Sequence, residues 1–391
     1  MRRLLLISFD AVGDVFFDRM MARPNFRALA KRAAVRRGVD SVFVTNTYPV
    51  HTSVVTGVPP GVHGLTSNTE PFPVRHAKWR YESKEIQAKT IWQMAAARGR
   101  KVAAVLWPVT GGAKEIRWNI PELLVQPGEN QIRMNLQYGS KLIQLREVLK
   151  HRALMKDVPN QPALDNFAAV CMADILRTKK PGLALVHFTV FDTFCHHYGL
   201  DDAQKLDEAM DVLDVNLKKL LDAAGADTDV ILFSDHAQRN VSHMLLPNTL
   251  LLQARHIDVD EEGTYIRGSG ADCFFECAGG CAFLHQGQLD TQQTAAIRMK
   301  LAETEGFARF LTEEEMRISG HTQCAFGFAA LPGYSCEAYP KAEAANHGYP
   351  LDTDAYKVFY MTVAPGFTPG EETGGSLLDI APMAAEIMGL S

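Results

Sequence analysis

Short, almost wholly apolar runs recur along the chain, and polar or turn residues follow each of them. A run that is apolar at nearly every position, rather than at alternate positions, is typical of a strand covered on both faces. We therefore predict buried strands at Leu4–Phe9, Val102–Leu106, Leu183–Phe188 and Val230–Phe233, and a final strand at Tyr356–Val363.

Helical patterns lie between these runs. Apolar residues recur at helical spacing over Pro24–Arg36, and Ser53–Thr56 is typical of a helix start. Ala203–Ala223 predicts a long amphipathic helix with one apolar stripe. Because strands alternate with helices, the sequence predicts an α/β fold with a mainly parallel central sheet.

Two stretches interrupt the alternation. The stretch of residues about 110–165 is longer and more polar than the other segments between strands. The stretch of residues about 261–345 contains many Gly, Cys and aromatic residues. We predict an α/β core made of residues 1–260 and 346–391. Residues about 261–345 would form a smaller cap, inserted before the final strand.

Composition excludes some classes of protein. The 391 residues are 47% hydrophobic and 22% charged, which is ordinary for a globular chain, and the net charge of −5 offers no basic field for nucleic acid. No run of about 18 apolar residues occurs, so we expect neither a membrane span nor a membrane partner. The first apolar run is too short for a signal peptide, and seven Cys without a secretion signal favour a cytoplasmic location.

Acidic residues follow three of the predicted strands: Asp10, Asp192 and Asp235. In an open α/β sheet, ligands bind outside the carboxyl ends of the strands, and three carboxylates buried there together require cations. Histidines accompany them. His196 is four residues after Asp192, His236 follows Asp235 directly, and His347 lies near the final strand. Each pair alone is weak evidence, but together they suit zinc, with manganese or iron as alternatives.

A nucleophile candidate lies in the Thr- and Ser-rich segment 45–53. If a helix starts there, its first turn favours negative charge and presents free N–H groups to phosphate oxygens. The simpler alternative is a helix cap, since Thr and Ser are preferred cap residues. A metal ion nearby would favour Thr47 as a nucleophile.

Taken together, these residues resemble the nucleotide pyrophosphatase/phosphodiesterase family of the alkaline phosphatase superfamily. The resemblance spans nearly the full chain and lies in the order and spacing of several segments. They are Asp10, Pro24-Asn25-Phe26-Arg27-Ala28-Leu29, Thr45-x-Thr47-Tyr48-Pro49-x-His51, Thr56-Gly57-Val58-x-Pro60-x-x-His63-Gly64, Asn68, Trp107-Pro108, Asp192-x-x-x-His196, Asp235-His236 and His347-Gly348-Tyr349.

The resemblance implies an alkaline-phosphatase-like core that binds two divalent metal ions, with Zn²⁺ as the first choice. One ion would be held by Asp192, His196 and His347, and the other by Asp10, Asp235, His236 and the Thr47 oxygen. Thr47 would attack phosphorus, and water would then hydrolyse the phospho-threonine. Asn68 would donate to a phosphate oxygen. Residues implied to contact the substrate, a small phosphorylated molecule such as a nucleotide, are Tyr48, Trp107 and His187.

The sequence departs from the family pattern at Val50, Val109, His187 and Ala237, which weakens the expectation of a nucleotide preference. His51 and His63 belong to the motif, and we interpret them as structural residues. Alternatives within the superfamily are a phosphonoacetate hydrolase and a phosphomonoesterase, and a distant one is a non-catalytic binding protein on the same fold. A nicotinamide dehydrogenase is disfavoured, because no G-x-G-x-x-G follows the first strand. The sequence reveals neither the physiological substrate nor the oligomeric state.

Overall fold

A sheet of eight strands forms the centre of the computed structural model, which describes residues 2–158, 160–352 and 356–390. Numbered along the chain and given in order across the sheet, the strands are β15 (Gly370–Thr373), β2 (Ala34–Val39), β14 (Val358–Val363), β6 (Thr228–Ser234), β1 (Arg3–Phe9), β5 (Leu183–Phe188), β3 (Val102–Val105) and β4 (Ile116–Ile120).

The sheet is mainly parallel, as predicted. β1 pairs in parallel with both β5 and β6, β3 pairs in parallel with β4 and β5, and β15 pairs in parallel with β2. Only β14 runs antiparallel to its neighbours among these described strands. The carboxyl ends of β6, β1 and β5 therefore lie side by side at one edge of the sheet.

Helices cover both faces of the sheet, which explains why its strands are apolar throughout. Along β1, Leu5, Ile7 and Phe9 face one hydrophobic core, whereas Leu4 and Leu6 face the other. The first core contains residues of α1 (Phe17–Met20), α2 (Pro24–Ala30), α7 (Lys141–Lys150), α8 (Ala163–Lys179), α9 (Val190–Tyr198) and α10 (Ala203–Ala224). The second contains residues of α3 (Thr47–Thr56), α5 (Ile91–Ala97) and α14 (Ile380–Met388).

The remaining described elements are two smaller sheets and several further helices. A four-stranded sheet has the order β10 (Phe307–Phe310), β11 (Phe326–Ala330), β9 (Cys281–His285) and β8 (Phe274–Cys277), and a three-stranded sheet has the order β12 (Gly333–Cys336), β7 (Arg239–Leu245) and β13 (Ala345–Asn346). The other helices are α4 (Pro60–His63), α6 (Gln131–Tyr138), α11 (Asn248–Gln253), α12 (Thr291–Ala302) and α13 (Glu313–Ser319), with 3₁₀ turns at Asp14–Phe16, Ser83–Glu85 and Leu377–Asp379.

The four-stranded sheet lies within the stretch predicted to be a cap. Its hydrophobic core also includes Leu245, Leu250 and Ile257, which precede the predicted boundary at residue 261. The boundaries of the cap and core stay a prediction, and residues 1, 159, 353–355 and 391 of the predicted core lie outside the described residues.

All five predicted strands are present, but two helix predictions are wrong. Pro24–Arg36 is not one helix: α2 ends at Ala30, and β2 begins at Ala34 because Val35 and Val39 pair with β14 and are buried in the cores. Ser53 does not start a helix, since α3 begins six residues earlier, at Thr47. Among the described helices, none has the length and apolarity needed to cross a membrane.

Candidate active site

The three predicted carboxylates converge at the carboxyl ends of adjacent strands. Asp10 directly follows β1, Asp235 directly follows β6, and Asp192 lies in the first turn of α9, just after β5. Asp10 and Asp235 are buried, with 2% and 0% of their surface exposed. The order of the strands in the sheet is therefore what brings together residues that are far apart in the sequence.

Thr47 is brought to the same place by the first turn of α3. Asn46 is the N-cap residue of this helix and makes no side-chain cap bond, and Thr47 is the first helical residue. Its Oγ1 lies 3.3 Å from Nε2 of His236. The hydroxyl thus lies at the positive end of a ten-residue helix, beside the predicted ligands.

Three predicted ligand atoms surround Nε2 of His236. Besides Thr47 Oγ1, both Asp10 Oδ1 and Asp235 Oδ2 lie 3.3 Å from this nitrogen. The other oxygen of each carboxylate is already bonded. Asp235 Oδ1 accepts the N–H groups of Ala11 and His236 at 3.0 and 2.8 Å, and Asp10 Oδ2 lies 3.1 Å from His187 Nε2. One oxygen of each carboxylate is thus left to face His236.

A second cluster contains Asp192, His196 and His347. Asp192 Oδ1 lies 3.3 Å from His196 Nε2, as expected for residues four apart on one helix face. The ligand atoms of all three residues lie within 4.8 Å of one another. The rings of His347 and His236 are 4.3 Å apart between centroids, so the two clusters are adjacent.

The donor set fits divalent metal ions. Asp10 Oδ1 and Asp235 Oδ2 are buried and have no hydrogen-bond partner, and a buried lone pair left in this way is costly unless a cation takes it. The ligand atoms of Asp10, Asp192 and His236 also lie within 4.8 Å of one another, so Asp192 is close to both clusters. A third such group joins His51, His187 and Asp235, but both histidines there already bond to protein groups.

The charges at the site support the same conclusion. Burial, and next the charges of Asp235 and Asp192, hold the pKa of Asp10 well above its usual range. Burial, reinforced by His236, holds the pKa of His347 well below its usual range. Asp192 and His196 behave differently, because the nearby Asp192 carboxylate raises the pKa of His196 to about 9 against the effect of burial. A bound cation would stabilise the ionised carboxylates and would require neutral imidazoles with a free nitrogen lone pair.

Several residues that support the ligands escaped the sequence analysis. Gln238 Nε2 donates to Asp192 Oδ1, and Asn46 Oδ1 lies 2.8 Å from His347 Nδ1. His196 Nδ1 donates to the carbonyl of Ala345 at 2.8 Å. Partners of this kind fix the orientation of a ligand, and only the tertiary structure reveals them. The one available signal was position, since Asn46 and Gln238 lie within two residues of predicted ligands.

Asn68 contacts the first turn of α3. Its Oδ1 accepts the N–H of Tyr48 at 2.9 Å, which leaves the amide NH₂ group as a donor beside the start of α3. His51 and His63 have structural contacts. His51 bonds to the Thr47 carbonyl and to Ser8 Oγ, at 2.8 Å each, and His63 Nε2 bonds to Ser53 Oγ at 2.9 Å. Both histidines therefore hold α3 in place.

The three predicted substrate contacts are buried side chains, and their role stays a prediction. Tyr48, Trp107 and His187 are each 0% exposed, so they lie beneath the site and do not line an open surface. Tyr48 packs edge-on against Trp79, and Trp107 packs against His51. Two carboxylates hold the ring of His187 in its buried position. Its Nδ1 lies 3.2 Å from Glu122 Oε2, and its Nε2 bonds to Asp10 Oδ2.

Comparison with known proteins gives a family and a fold. Residues 4–307 match the family described as "Type I phosphodiesterase / nucleotide pyrophosphatase". The chain is 25% identical over 255 residues to "Bis(5'-adenosyl)-triphosphatase enpp4" of Xenopus laevis, covering 62% of this chain and 48% of that protein. It is 28% identical over 116 residues to "Ectonucleotide pyrophosphatase/phosphodiesterase family member 5" of Homo sapiens, covering 28% and 24%. The matched regions thus span about half or less of these relatives.

Solved structures share the fold over the whole chain. Murine ectonucleotide pyrophosphatase/phosphodiesterase 5, solved as an inactive Thr-to-Ala variant in complex with AMP, superposes with a TM-score of 0.70 at 16% identity. The match covers 100% of this chain and 96% of that one. The human protein of the same name gives the same TM-score and coverage.

Proposed function

This chain belongs to the type I phosphodiesterase/nucleotide pyrophosphatase family, and from that premise we propose that it hydrolyses phosphodiester or nucleotide pyrophosphate bonds with Thr47 as the nucleophile. The observation that carries the proposal is the position of Thr47 Oγ1, at the start of α3 and 3.3 Å from His236 Nε2 within the cluster of unpartnered carboxylate oxygens. The names of the relatives agree in reaction class, since they describe triphosphatases, pyrophosphatases and phosphodiesterases.

The reaction has two displacements at phosphorus. In the first, Thr47 Oγ forms a bond to phosphorus as the bond to the leaving oxygen breaks. In the second, water attacks the phospho-threonine, restores the hydroxyl and releases the phosphorylated product. The structure of an AMP complex in a neighbour of the same fold supports a nucleotide as one substrate class.

Two sets of residues would hold the metal ions. Asp10, Asp235, His236 and Thr47 would bind one, and Asp192, His196 and His347 would bind the other. When bound, two divalent ions withdraw charge from phosphate oxygens and lower the pKa of coordinated hydroxyl groups and water. The mixed oxygen and nitrogen donors favour Zn²⁺, with Mn²⁺ and iron as the next choices.

The protein itself contributes positioning and charge stabilisation. Because Asn68 Oδ1 accepts the N–H of Tyr48, the Asn68 NH₂ group points away from Tyr48. We assign this NH₂ group as a hydrogen-bond donor to a non-bridging phosphate oxygen. At the start of α3, the Tyr48 N–H donates to Asn68, Pro49 has no N–H, and the Val50 N–H donates to the Asn46 carbonyl. Among these residues, the Thr47 N–H is therefore the further donor that we assign to the same charge. Such donors stabilise the transition state because they are in place before charge develops.

The proposal includes a cytoplasmic location. It rests on the cysteines, since all seven are free thiols in the structure, five of them buried. The word "ectonucleotide" in the names of relatives describes those proteins.

The proposal is tested with a nitrophenyl phosphodiester at defined zinc content. The wild type is expected to hydrolyse it, and Thr47→Ala is expected to lose activity to background while it still takes up metal. Thr47→Ser keeps a hydroxyl and serves as the matched control, with partial activity expected. Equal rates for the wild type and Thr47→Ala would overturn the assignment of the nucleophile.

One observation favours a second candidate, a phosphomonoesterase or a phosphonoacetate hydrolase. Lys341 Nζ contacts Glu343, whose carboxylate lies 3.6 Å from His196 Nδ1, so a cation lies close to one metal cluster. A dianionic phosphate or phosphonate gains more from such a cation than a monoanionic diester does. A panel of monoesters, diesters, nucleoside triphosphates and phosphonoacetate, run with the wild type and Lys341→Met, separates the candidates. Selective loss of monoester or phosphonoacetate turnover in the variant would favour the second.

A further inference from the structure

An exposed stripe of leucines runs along α7. Leu142, Leu145 and Leu149 are 86%, 56% and 64% exposed, and their spacing of three and four residues places them on one face of the helix. Ile132 and Leu136 on the neighbouring α6 are also exposed, at 70% and 40%. We call these five residues the leucine face. Exposed apolar side chains that cluster in this way mark interaction surfaces, whereas scattered ones do not.

The inner face of α7 is unusually polar, so the exposure of the leucines follows from how the helix packs. Of its three buried residues, Ile143 is apolar, but Gln144 and Glu147 are polar. Arg146 contacts Glu147 and Asp174 at 2.7 and 2.5 Å, and Lys150 also contacts Asp174, which fastens α7 to α8. The helix therefore presents its apolar side to the outside, the reverse of an ordinary surface helix.

The surroundings of the leucine face are basic. Residues 131–158 contain six Lys or Arg and two acidic residues, and Asp174 of α8 pairs with two of these cations, which leaves a local net charge of +3 in a chain whose net charge is −5. One of the two acids, Glu147, is buried beneath α7. Arg133 and Lys141 are exposed and line a shallow groove of about 830 Å³ beside Ile132 and Leu136. The surface thus combines apolar side chains with a local excess of positive charge.

We propose that the leucine face binds an anionic phospholipid surface, with its leucines in the interface and its cations on the lipid headgroups. Helices that lie in a membrane interface have this composition, and each Lys or Arg near an anionic surface adds to binding. A second copy of the chain fits less well. A two-fold axis near Leu145 would place Lys141 of one copy close to Lys150 of the other, and like charges repel.

This proposal revises the expectation that the protein has no membrane partner. That expectation came from the lack of a long apolar run, which bears on spanning a bilayer and not on contact with its surface. The proposal is also independent of the catalytic one, because none of the residues that carry it belongs to the metal clusters.

The test uses the full chain and two kinds of vesicle, neutral phosphatidylcholine and phosphatidylcholine mixed with phosphatidylglycerol. The protein is expected to sediment with the anionic vesicles only, and added salt should weaken binding because it screens the cations. Leu142→Gln and Leu149→Gln should each weaken binding about tenfold or more, and Lys141→Glu about fivefold or more.

Matched controls separate the leucine face from general surface effects. Met299→Gln changes an exposed apolar residue on α12, and Lys31→Glu changes an exposed cation after α2. Neither should alter binding, and all five variants should keep wild-type turnover of a soluble diester. Three results would overturn the proposal: no binding to anionic vesicles, equal binding to neutral ones, or a concentration-dependent dimer in ultracentrifugation that Leu142→Gln abolishes.

Discussion

Gly348 connects the four-stranded sheet to the cluster of Asp192, His196 and His347, and its replacement tests that connection. It directly follows the predicted ligand His347 and has a φ of +85°. The turn between β8 and β9 lies against it, since the Gly280 N–H donates to the His347 carbonyl at 2.8 Å. A β-carbon added at Gly348 would lie 1.6 Å from the carbonyl oxygen of Ala278.

The size of the effect follows from that distance. Real β-carbons essentially never come closer than 3.0 Å to another heavy atom, so Gly348→Ala requires a shift of 3.0 minus 1.6, or 1.4 Å. Ligand geometry tolerates errors of about 0.5 Å, so His347 is expected to leave its position. The left-handed φ adds a strain of about 1–2 kcal/mol. We expect Gly348→Ala to bind one of the two metal ions about 10–100-fold more weakly, as when a ligand loses its support.

The assay is a competition titration of zinc against a chelator, together with thermal unfolding of the apo-protein. Gly366→Ala is the matched control, because Gly366 has a φ of +91° and nothing within 4 Å of the added β-carbon. It carries the same backbone strain without the clash, so it should lose stability but keep both ions. Wild-type affinity for both ions in Gly348→Ala, or an equal loss in the control, would refute the reasoning.

Three further predictions concern single side chains. Asn68→Ala should lower kcat for a diester about 100–1,000-fold with metal content unchanged, and a parallel loss of metal would assign Asn68 a structural role instead. Gln238→Ala removes a hydrogen bond to the Asp192 carboxylate and should weaken the binding of one zinc ion about 10–100-fold in the chelator titration. Unchanged zinc affinity would show that Gln238 does not hold Asp192 in position for metal binding. Burial lowers the pKa of His63 from 6.5 to about 4, so its contribution to stability is full above pH 6.5 and is lost as the pH falls towards 4. His63→Gln should therefore remove about 3 kcal/mol of acid destabilisation in denaturant titrations across that range, and identical pH profiles would contradict this.

The sequence predicted the sheet well because burial on both faces leaves a local signal. β1 and β5 are apolar at nearly every position, as expected for strands that are buried on both faces. β2 escaped the prediction because it lies next to the sheet edge and contains Arg36, Arg37 and Gly38 after its first residues. Its pairing with β14 and β15, far along the chain, outweighs the helical spacing of its apolar residues.

The candidate site also has a part that the sequence predicts and a part that only the structure reveals. The predicted ligands converge because they follow adjacent strands, a rule that a sequence can express. The partners of those ligands follow no such rule. Glu122 reaches His187 from the loop after β4, and the Gly279–Gly280 turn between β8 and β9 reaches His347. The burial of Tyr48 and Trp107 was equally hidden, because a motif gives the position of an aromatic residue but not the direction of its ring.

The central claim is that Thr47 becomes covalently phosphorylated during turnover. The most direct test is to quench the zinc-loaded protein with acid while it hydrolyses a nitrophenyl phosphodiester, and to map the adduct by peptide mass spectrometry. We predict a phosphoryl ester on Thr47 in the wild type and none in Thr47→Ala. Turnover by the wild type without any adduct on Thr47, together with retained activity in Thr47→Ala, would contradict the claim.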